Sequence, residues 1–241
     1  MKKTVILIHG YLTDYQDFAN LPKTLIKYYD YVVLLTLPGH GRFQDIKRFK
    51  VDNTIKTVEE TVEFYLKKGT VDLIGYSMGG ALSRYIASKY QTINKMVLLA
   101  PASKYLSPFL GINRIKYLLN KQNTTLSKKE RRALLKEHDK AAYEFLKDRL
   151  LKKFSAGNGL TFCKLISTIN QEKTAFETPT LIVYGKLDEL VPLASVNYCL
   201  SKCISSLKEV MYLDDIGHLM LRTAQCQNII NKIEEFLTKE N

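Results

Sequence analysis

Asp72-Leu73-Ile74-Gly75-Tyr76-Ser77-Met78-Gly79-Gly80-Ala81 carries G-x-S-x-G between a β-rich apolar run and a helical pattern. The spacing has a physical cause. Presenting the Ser77 hydroxyl at the top of a sheet needs a sharp, strained strand-to-helix turn. Glycine two residues to either side, Gly75 and Gly79, removes the Cβ atoms that would clash there. The helix begins at once, so the Met78 amide and the helix dipole face charge that develops near Ser77. The competing reading is a glycine-rich turn that cradles a phosphate. Neither G-x-G-x-x-G nor G-x-x-x-x-G-K-[ST] occurs here, which weakens it. The stretch predicts Ser77 as a nucleophile.

The neighbouring segments repeat the strand–helix alternation. Val5–Ile8, Val32–Leu35, Val71–Ile74, Met96–Leu99, Leu181–Tyr184 and Val210–Leu213 read as strands. They are nearly continuous apolar runs, as expected of strands covered on both faces. Helical patterns fall near 17–29, 54–68, 79–90, 193–204 and 222–238. The alternation predicts an α/β fold with a mostly parallel sheet and right-handed crossovers.

The rhythm breaks once. Between about Ala102 and Phe176 no strand is evident and the segment reads as helical. Ser127-Lys128-Lys129-Glu130 fits a capping box, and Leu135, Ala142, Phe145, Leu146 and Leu150 recur at helical spacing. Gly157, Asn158 and Gly159 read as a turn before another apolar stretch. An insertion between two strands belongs at the carboxyl edge of the sheet, where open α/β sheets bind ligands. The expected organisation is a core of residues 1–102 and 176–241 with a helical cap over 103–175.

The net charge of +12 is concentrated in this insertion. From Lys104 to Lys153 there are fourteen Lys/Arg against five Asp/Glu. A solvated helix face explains most of that, and the same face suits anionic or lipid-derived substrates. No aromatic–basic motif accompanies the charge, so nucleic acid is not an expected partner.

A nucleophilic serine needs a base, an acid to orient it, and donors for an oxyanion. The four histidines are His9, His40, His138 and His218. His218 follows the last strand pattern in Asp214-Asp215-Ile216-Gly217-His218, which places it at the strand ends and makes it the expected base. The acid should lie between nucleophile and base in chain order. Asp188, just after the Leu181–Tyr184 run, leads over Glu189, Asp214 and Asp215. Met78 supplies one oxyanion amide, and Tyr11, in the loop after the first strand, is placed to supply the other. His9 is expected to be structural, His40 to order loops and His138 to face solvent.

With 241 residues, 46% of them hydrophobic and 25% charged, the chain has the composition of a globular domain. The start, Met1-Lys2-Lys3 before Thr4–Ile8, imitates a signal peptide, but its apolar run is too short and reads as a buried strand. No other address is visible, so the cytoplasm is the expected location, without stable membrane insertion. Cys163, Cys199, Cys203 and Cys226 lack metal-binding spacing and are expected to be reduced thiols. No metal or organic cofactor is expected, and no oligomeric state is implied.

Taken together these segments resemble the α/β-hydrolase superfamily, above all small bacterial carboxylesterases and monoacylglycerol-lipase-like enzymes. The resemblance rests on His9-Gly10, Leu37-Pro38-Gly39-His40-Gly41, Gly75–Gly80, Leu98-Leu99-Ala100-Pro101, Gly185–Asp188 with Val191-Pro192, and Gly217-His218. It implies the α/β-hydrolase fold, trimmed here to a mostly parallel sheet of about six or seven strands because the chain starts at what would be the third. Many members carry Asp before the P-G-H-G loop, where this chain has Thr36-Leu37.

The resemblance implies a carboxylic-ester hydrolase that acts through an acyl-enzyme on small esters of short to medium acyl chain. Thioesterases, peptidases of small substrates and the elimination enzymes of menaquinone synthesis share these motifs. So do binding proteins that kept the fold and lost the chemistry.

Overall fold

The apolar runs do form strands: β1 (Lys2–Ile8), β2 (Tyr31–Leu35), β3 (Gly69–Tyr76), β4 (Met96–Leu99), β5 (Thr180–Gly185) and β6 (Lys208–Leu213). The computed structural model describes residues 1–41, 44–104, 127, 129, 130, 133, 140, 144, 155–188 and 190–239. Its six strands make one sheet in the order β2-β1-β3-β4-β5-β6, and every pairing is parallel. The four inner strands are buried on both faces over most of their length. At the edges, β2 and β6 keep partly exposed apolar residues such as Leu34 and Tyr212, because each has a neighbour on one side only.

Period-two alternation sorts the strand residues into two cores. Ile6, Ile8, Leu73, Leu98 and Ile182 face one side. There they meet helices α2 (Val51–Leu66), α3 (Met78–Lys89), α4 (Ala156–Ile169) and α5 (Leu193–Lys202). Val5, Leu7, Ile74, Val97 and Val183 face the other, against α1 (Leu21–Leu25) and α6 (Cys226–Thr238). With helices on both faces and parallel strands between, the expected α/β architecture is what forms.

Two local readings of the sequence are corrected. The helical pattern at 17–29 divides into a 3-10 turn over Tyr15–Phe18, capped by Asp14, and the short α1. Ala19 at φ 47° interrupts it, and Pro22 belongs at a helix start, where its missing N–H costs nothing. The turn read at Gly157–Gly159 is the first turn of α4. Ser155 Oγ accepts the Asn158 N–H while the Asn158 side chain accepts the Ser155 N–H, and this reciprocal cap outweighs the helix cost of about 1 kcal/mol per glycine. The box at Ser127 and Glu130 forms as its sequence implies. Leu135, Ala142, Phe145, Leu146 and Leu150 lie outside the described residues.

Two buried cations finish helices. Arg84 Nη2 donates to Ile169 O (3.0 Å) and Asn170 Oδ1 (2.9 Å) and its Nη1 to Glu172 O (3.3 Å), closing the carboxyl end of α4. Lys95 Nζ donates to the carbonyls of Phe236, Leu237 and Lys239 at the end of α6. Helix carboxyl ends carry orphan acceptors and partial negative charge, so a cation there recovers much of its desolvation cost. Truncation of Arg84 leaves the buried Ile169 carbonyl and the part-buried Asn170 and Glu172 oxygens without this donor. Arg84→Ala is expected to lower the unfolding free energy by about 2–4 kcal/mol in urea titrations, and a loss under about 0.5 kcal/mol would show that the carbonyls find other donors.

Candidate active site

The strand order fixes where a site can form. From β1 the chain moves outward to β2 through α1 on one face, then returns through α2 on the other to β3, on the opposite side of β1. The loops after β1 and β3 therefore diverge to opposite faces and leave a crevice at the carboxyl ends of these strands. Register keeps those ends level: Ile8 pairs with Gly75, Tyr76 with Leu99, and Gly185 with Leu213. His9-Gly10-Tyr11, Ser77, Asp188 and His218 all follow strand ends on this one edge.

Ser77 has φ 53° and ψ −112°, a conformation that costs a non-glycine residue about 1–3 kcal/mol. The elbow glycines act by close approach. A Cβ on Gly79 would lie 1.8 Å from Ile8 O, and one on Gly75 2.3 Å from Gly79 O, so α3 could not otherwise start this near β1. Met78 is the first residue of α3, where the amide has no partner within the helix.

His218 and Asp188 meet. The His218 Nδ1 lies 2.8 Å from Asp188 Oδ2, with both side chains buried. The other oxygen, Oδ1, accepts the N–H groups of Leu190 (2.8 Å) and Val191 (2.9 Å). A carboxylate held by three donors is an acceptor only, so Nδ1 carries the proton and Nε2 keeps its lone pair. Burial alone pushes the imidazole down, but the charge and hydrogen bond of Asp188, with the charge of Asp17, outweigh it and raise His218 above its ordinary 6.5. Of the competing acids, Asp214 is exposed and pairs with Lys186, Asp215 is exposed, and Glu189 lies outside the described residues.

The loop after β1 is folded tightly beside Ser77. A Cβ on Gly10 would lie 3.3 Å from Ser77 Cβ. The Gly10 N–H is taken by Asp17 Oδ2 at 3.1 Å, and the Tyr11 N–H makes no hydrogen bond among the described residues. The Tyr11 hydroxyl donates to Asn158 Oδ1 and its ring stacks on Phe162 at 4.8 Å, so α4 covers this loop. His9 is fully buried and accepts the Leu37 N–H at Nε2 (3.1 Å), which ties the loop after β1 to the one after β2. His40 packs on His9 and Phe49. Both thus order loops, with Thr36-Leu37 supplying a backbone donor; His138 lies outside the described residues.

Sequence reasoning missed three contributors. The Tyr76 hydroxyl donates to the His218 carbonyl and accepts the Met220 N–H (3.0 Å), fastening the histidine loop to the residue before Ser77. Asp17 holds the Gly10 loop, and Asn158 holds Tyr11. Tyr76 stood inside the quoted motif, whereas the other two gave no local signal.

Residues 1–224 match the family described as serine aminopeptidase, S33, a group of α/β-hydrolases. The chain belongs to this α/β-hydrolase family. The hydrolase is 29% identical over 204 residues to an esterase/lipase of Mycoplasma pneumoniae, covering 82% of this chain and 73% of that one. It is 23% identical over 240 residues to a thermostable monoacylglycerol lipase of a Bacillus species, covering 98% and 90%. The solved monoacylglycerol lipase of Paleococcus ferrophilus shares the fold, with a TM-score of 0.73 at 20% identity over 97% of this chain and 93% of that one. The hydrolase is thus an enzyme of the serine esterase/lipase type.

In an NMR titration of the wild-type hydrolase the His218 ring is expected to gain its proton above pH 6.5, and in Asp188→Asn at lower pH, since the variant removes the charge that opposes desolvation. A wild-type ring that titrates below 6.5 would mean that burial wins.

Proposed function

We propose that this hydrolase cleaves small carboxylic esters of short to medium acyl chain through Ser77, His218 and Asp188. The observation that carries the reading is the buried 2.8 Å contact of His218 Nδ1 with Asp188, which leaves Nε2 as a lone-pair base on the edge where the elbow presents Ser77. Tyr76 strengthens it. Its ring meets that of His218 edge-on at 5.8 Å, and it directly precedes the serine.

The steps follow from these groups. Ser77 Oγ attacks the ester carbonyl carbon as its proton passes to His218 Nε2, and the carbonyl π electrons move to oxygen. The amides of Tyr11 and Met78 stabilise that oxyanion. The oxyanion collapses, the bond to the alcohol oxygen breaks, and the imidazolium returns the proton to the leaving alcohol. Water then attacks the acyl-enzyme with His218 again as base, which releases the acid and frees Ser77. Asp188 keeps its hydrogen bond to His218 Nδ1 throughout and so holds the ring in one orientation.

Residues 103–175 form the cap in this reading, with an apolar acyl pocket beneath. The stacking of Phe162 on Tyr11 supports it, because α4 already reaches the oxyanion loop. The basic stretch within 104–153 would favour anionic or lipid-derived esters. A cytoplasmic location belongs to the same reading; among the described residues no helix is long and apolar enough to cross a membrane. The family's description as aminopeptidases favours a second reading, amide hydrolysis by the same groups. Turnover of aryl esters graded by chain length, acyl-thioesters and small amides separates the two. Esters of short to medium chain are expected to lead, and faster amide turnover would reverse the order.

A fluorophosphonate probe is expected to label the hydrolase once, and Ser77→Ala to abolish the label; labelling that survives the substitution contradicts the assignment. The base must be unprotonated and its pKa is raised, so kcat/KM is expected to climb with pH through a midpoint above the ordinary imidazole value of 6.5. A flat profile from about pH 5 to 9 contradicts a histidine base. In Asp188→Asn the Leu190 and Val191 amides hold the amide oxygen and turn its NH2 toward Nδ1, which selects the wrong tautomer. The expected loss is about 10⁴-fold in kcat with KM little changed, and a loss under about tenfold would remove Asp188 from the triad.

A further inference from the structure

The triad leaves the buried carboxylate that holds the Gly10 loop unused. Asp17, in the turn Tyr15–Phe18, is 2% exposed. Its Oδ2 accepts the Gly10 N–H (3.1 Å) and the Thr13 hydroxyl, while its Oδ1 has no hydrogen-bond partner among the described residues. A Cβ on Gly10 would stand 3.3 Å from both Asp17 Oδ2 and Ser77 Cβ, so one glycine separates this carboxylate from the serine. Next to Tyr11 the same loop carries Leu12 at φ 61°, a backbone strain that must be held from outside.

The groups that face Asp17 come from every element around it. Thr13, the Gly10 amide and the repelling Asp14 belong to its own loop. Tyr76 stands at the end of β3, His218 in the loop after β6, and the attracting Arg222 in the turn Met220–Arg222. Burial dominates and pushes Asp17 up to about 6. Above that pH the fold keeps a charge whose second oxygen is unpaired, at a cost an asparagine would avoid. Stitching a loop needs only an acceptor. The charge itself calls for another explanation, and the nearby imidazole supplies one.

We propose that Asp17 is a positioning residue of the reaction: its bond to the Gly10 N–H fixes the loop that presents the Tyr11 amide, and its charge favours the protonated His218 that arises as Ser77 attacks. The inference rests on the Ser77–His218–Asp188 reading. Removing the charge alone is therefore distinct from removing the acceptor.

The experiment compares wild type, Asp17→Asn and Asp17→Ala on one aryl ester, with circular dichroism and thermal midpoint as fold controls. Asp17→Asn keeps an acceptor for Gly10. Its kcat/KM acid limb is expected to move to lower pH by about 0.5–1 unit, with KM changed less than about twofold. Asp17→Ala loses the acceptor too and is expected to drop a further tenfold or more in plateau kcat, roughly the effect of a misplaced oxyanion donor. An Asp17→Asn profile that superimposes on wild type overturns the proposal, and so does an Asp17→Ala loss confined to KM. If Asp17→Ala fails to fold, the Asp17→Asn profile decides alone. Fluorophosphonate labelling of wild type runs in parallel. No label at Ser77 removes the triad reading and this inference together, whereas a label with an unmoved profile removes only the role of Asp17.

Discussion

Ser77 occupies a backbone conformation that nothing in its own chemistry favours, and the remainder of the site is arranged around keeping it there. Its N–H donates to Leu99 O at 2.8 Å, and its carbonyl accepts from both Ala81 (3.1 Å) and Ala102 (2.9 Å). Strand β4, helix α3 and the segment that leaves β4 each grip the same residue. Gly79 brings the start of α3 against the last carbonyl of β1. Strain of about 1–3 kcal/mol persists only where surroundings over-determine it, and here three elements do. Because the sheet is parallel and its strand ends are level, a fixed Ser77 also fixes the frame in which every other loop must arrive.

Helix α4 shows how a distant segment enters that frame. At its carboxyl end Arg84 closes the last carbonyls while Asn170 Nδ2 donates to Ser103 O at 2.7 Å. Near its amino end Asn158 takes the Tyr11 hydroxyl and Phe162 covers the ring. Leu165, Ile166 and Ile169 bury the stretch between against α2 and α3. Both ends of the helix are thus tied, one to the core and one to the loop beside Ser77. A change in how α4 packs would therefore be felt at Tyr11.

What could be read from the sequence follows from where each signal resides. The elbow is local: the turn demands glycines two residues either side of the serine, so the five residues Gly75–Gly79, set between a strand run and a helical pattern, disclose it. Asp188 and His218 were legible because each stands just past a strand run, and topology sends all such ends to one edge. Ser155 does not read as a cap, since two glycines in the next four residues argue for a turn; the reciprocal bond with Asn158, formed only on folding, outweighs them. Asp17 and Asn158 were invisible for another reason. Gly10 lies 7 residues from Asp17 and Tyr11 lies 147 from Asn158, and no periodicity reports a contact made only after the loop has folded.

Two carboxylates act on His218, and their surroundings differ in kind. Asp188 spends its acceptor capacity on three N–H donors, so its geometry is set by backbone that the end of β5 supplies. Asp17 has two donors on one oxygen and none on the other, and lies fully buried beside a residue in left-handed conformation. Natural cores reject half-satisfied polar groups unless something is gained. Here an unpaired buried oxygen on Asp17 and positive φ at Leu12 and Ser77 fall within residues 9–17 and 76–77, the two stretches that flank the crevice, while Arg84 Nη1 and Nη2 and the Lys95 ammonium are turned to helix ends where acceptors await them. An unpaired carboxylate oxygen beside a strained loop is what the proposed role of Asp17, favouring positive charge on the His218 imidazole, would put to use.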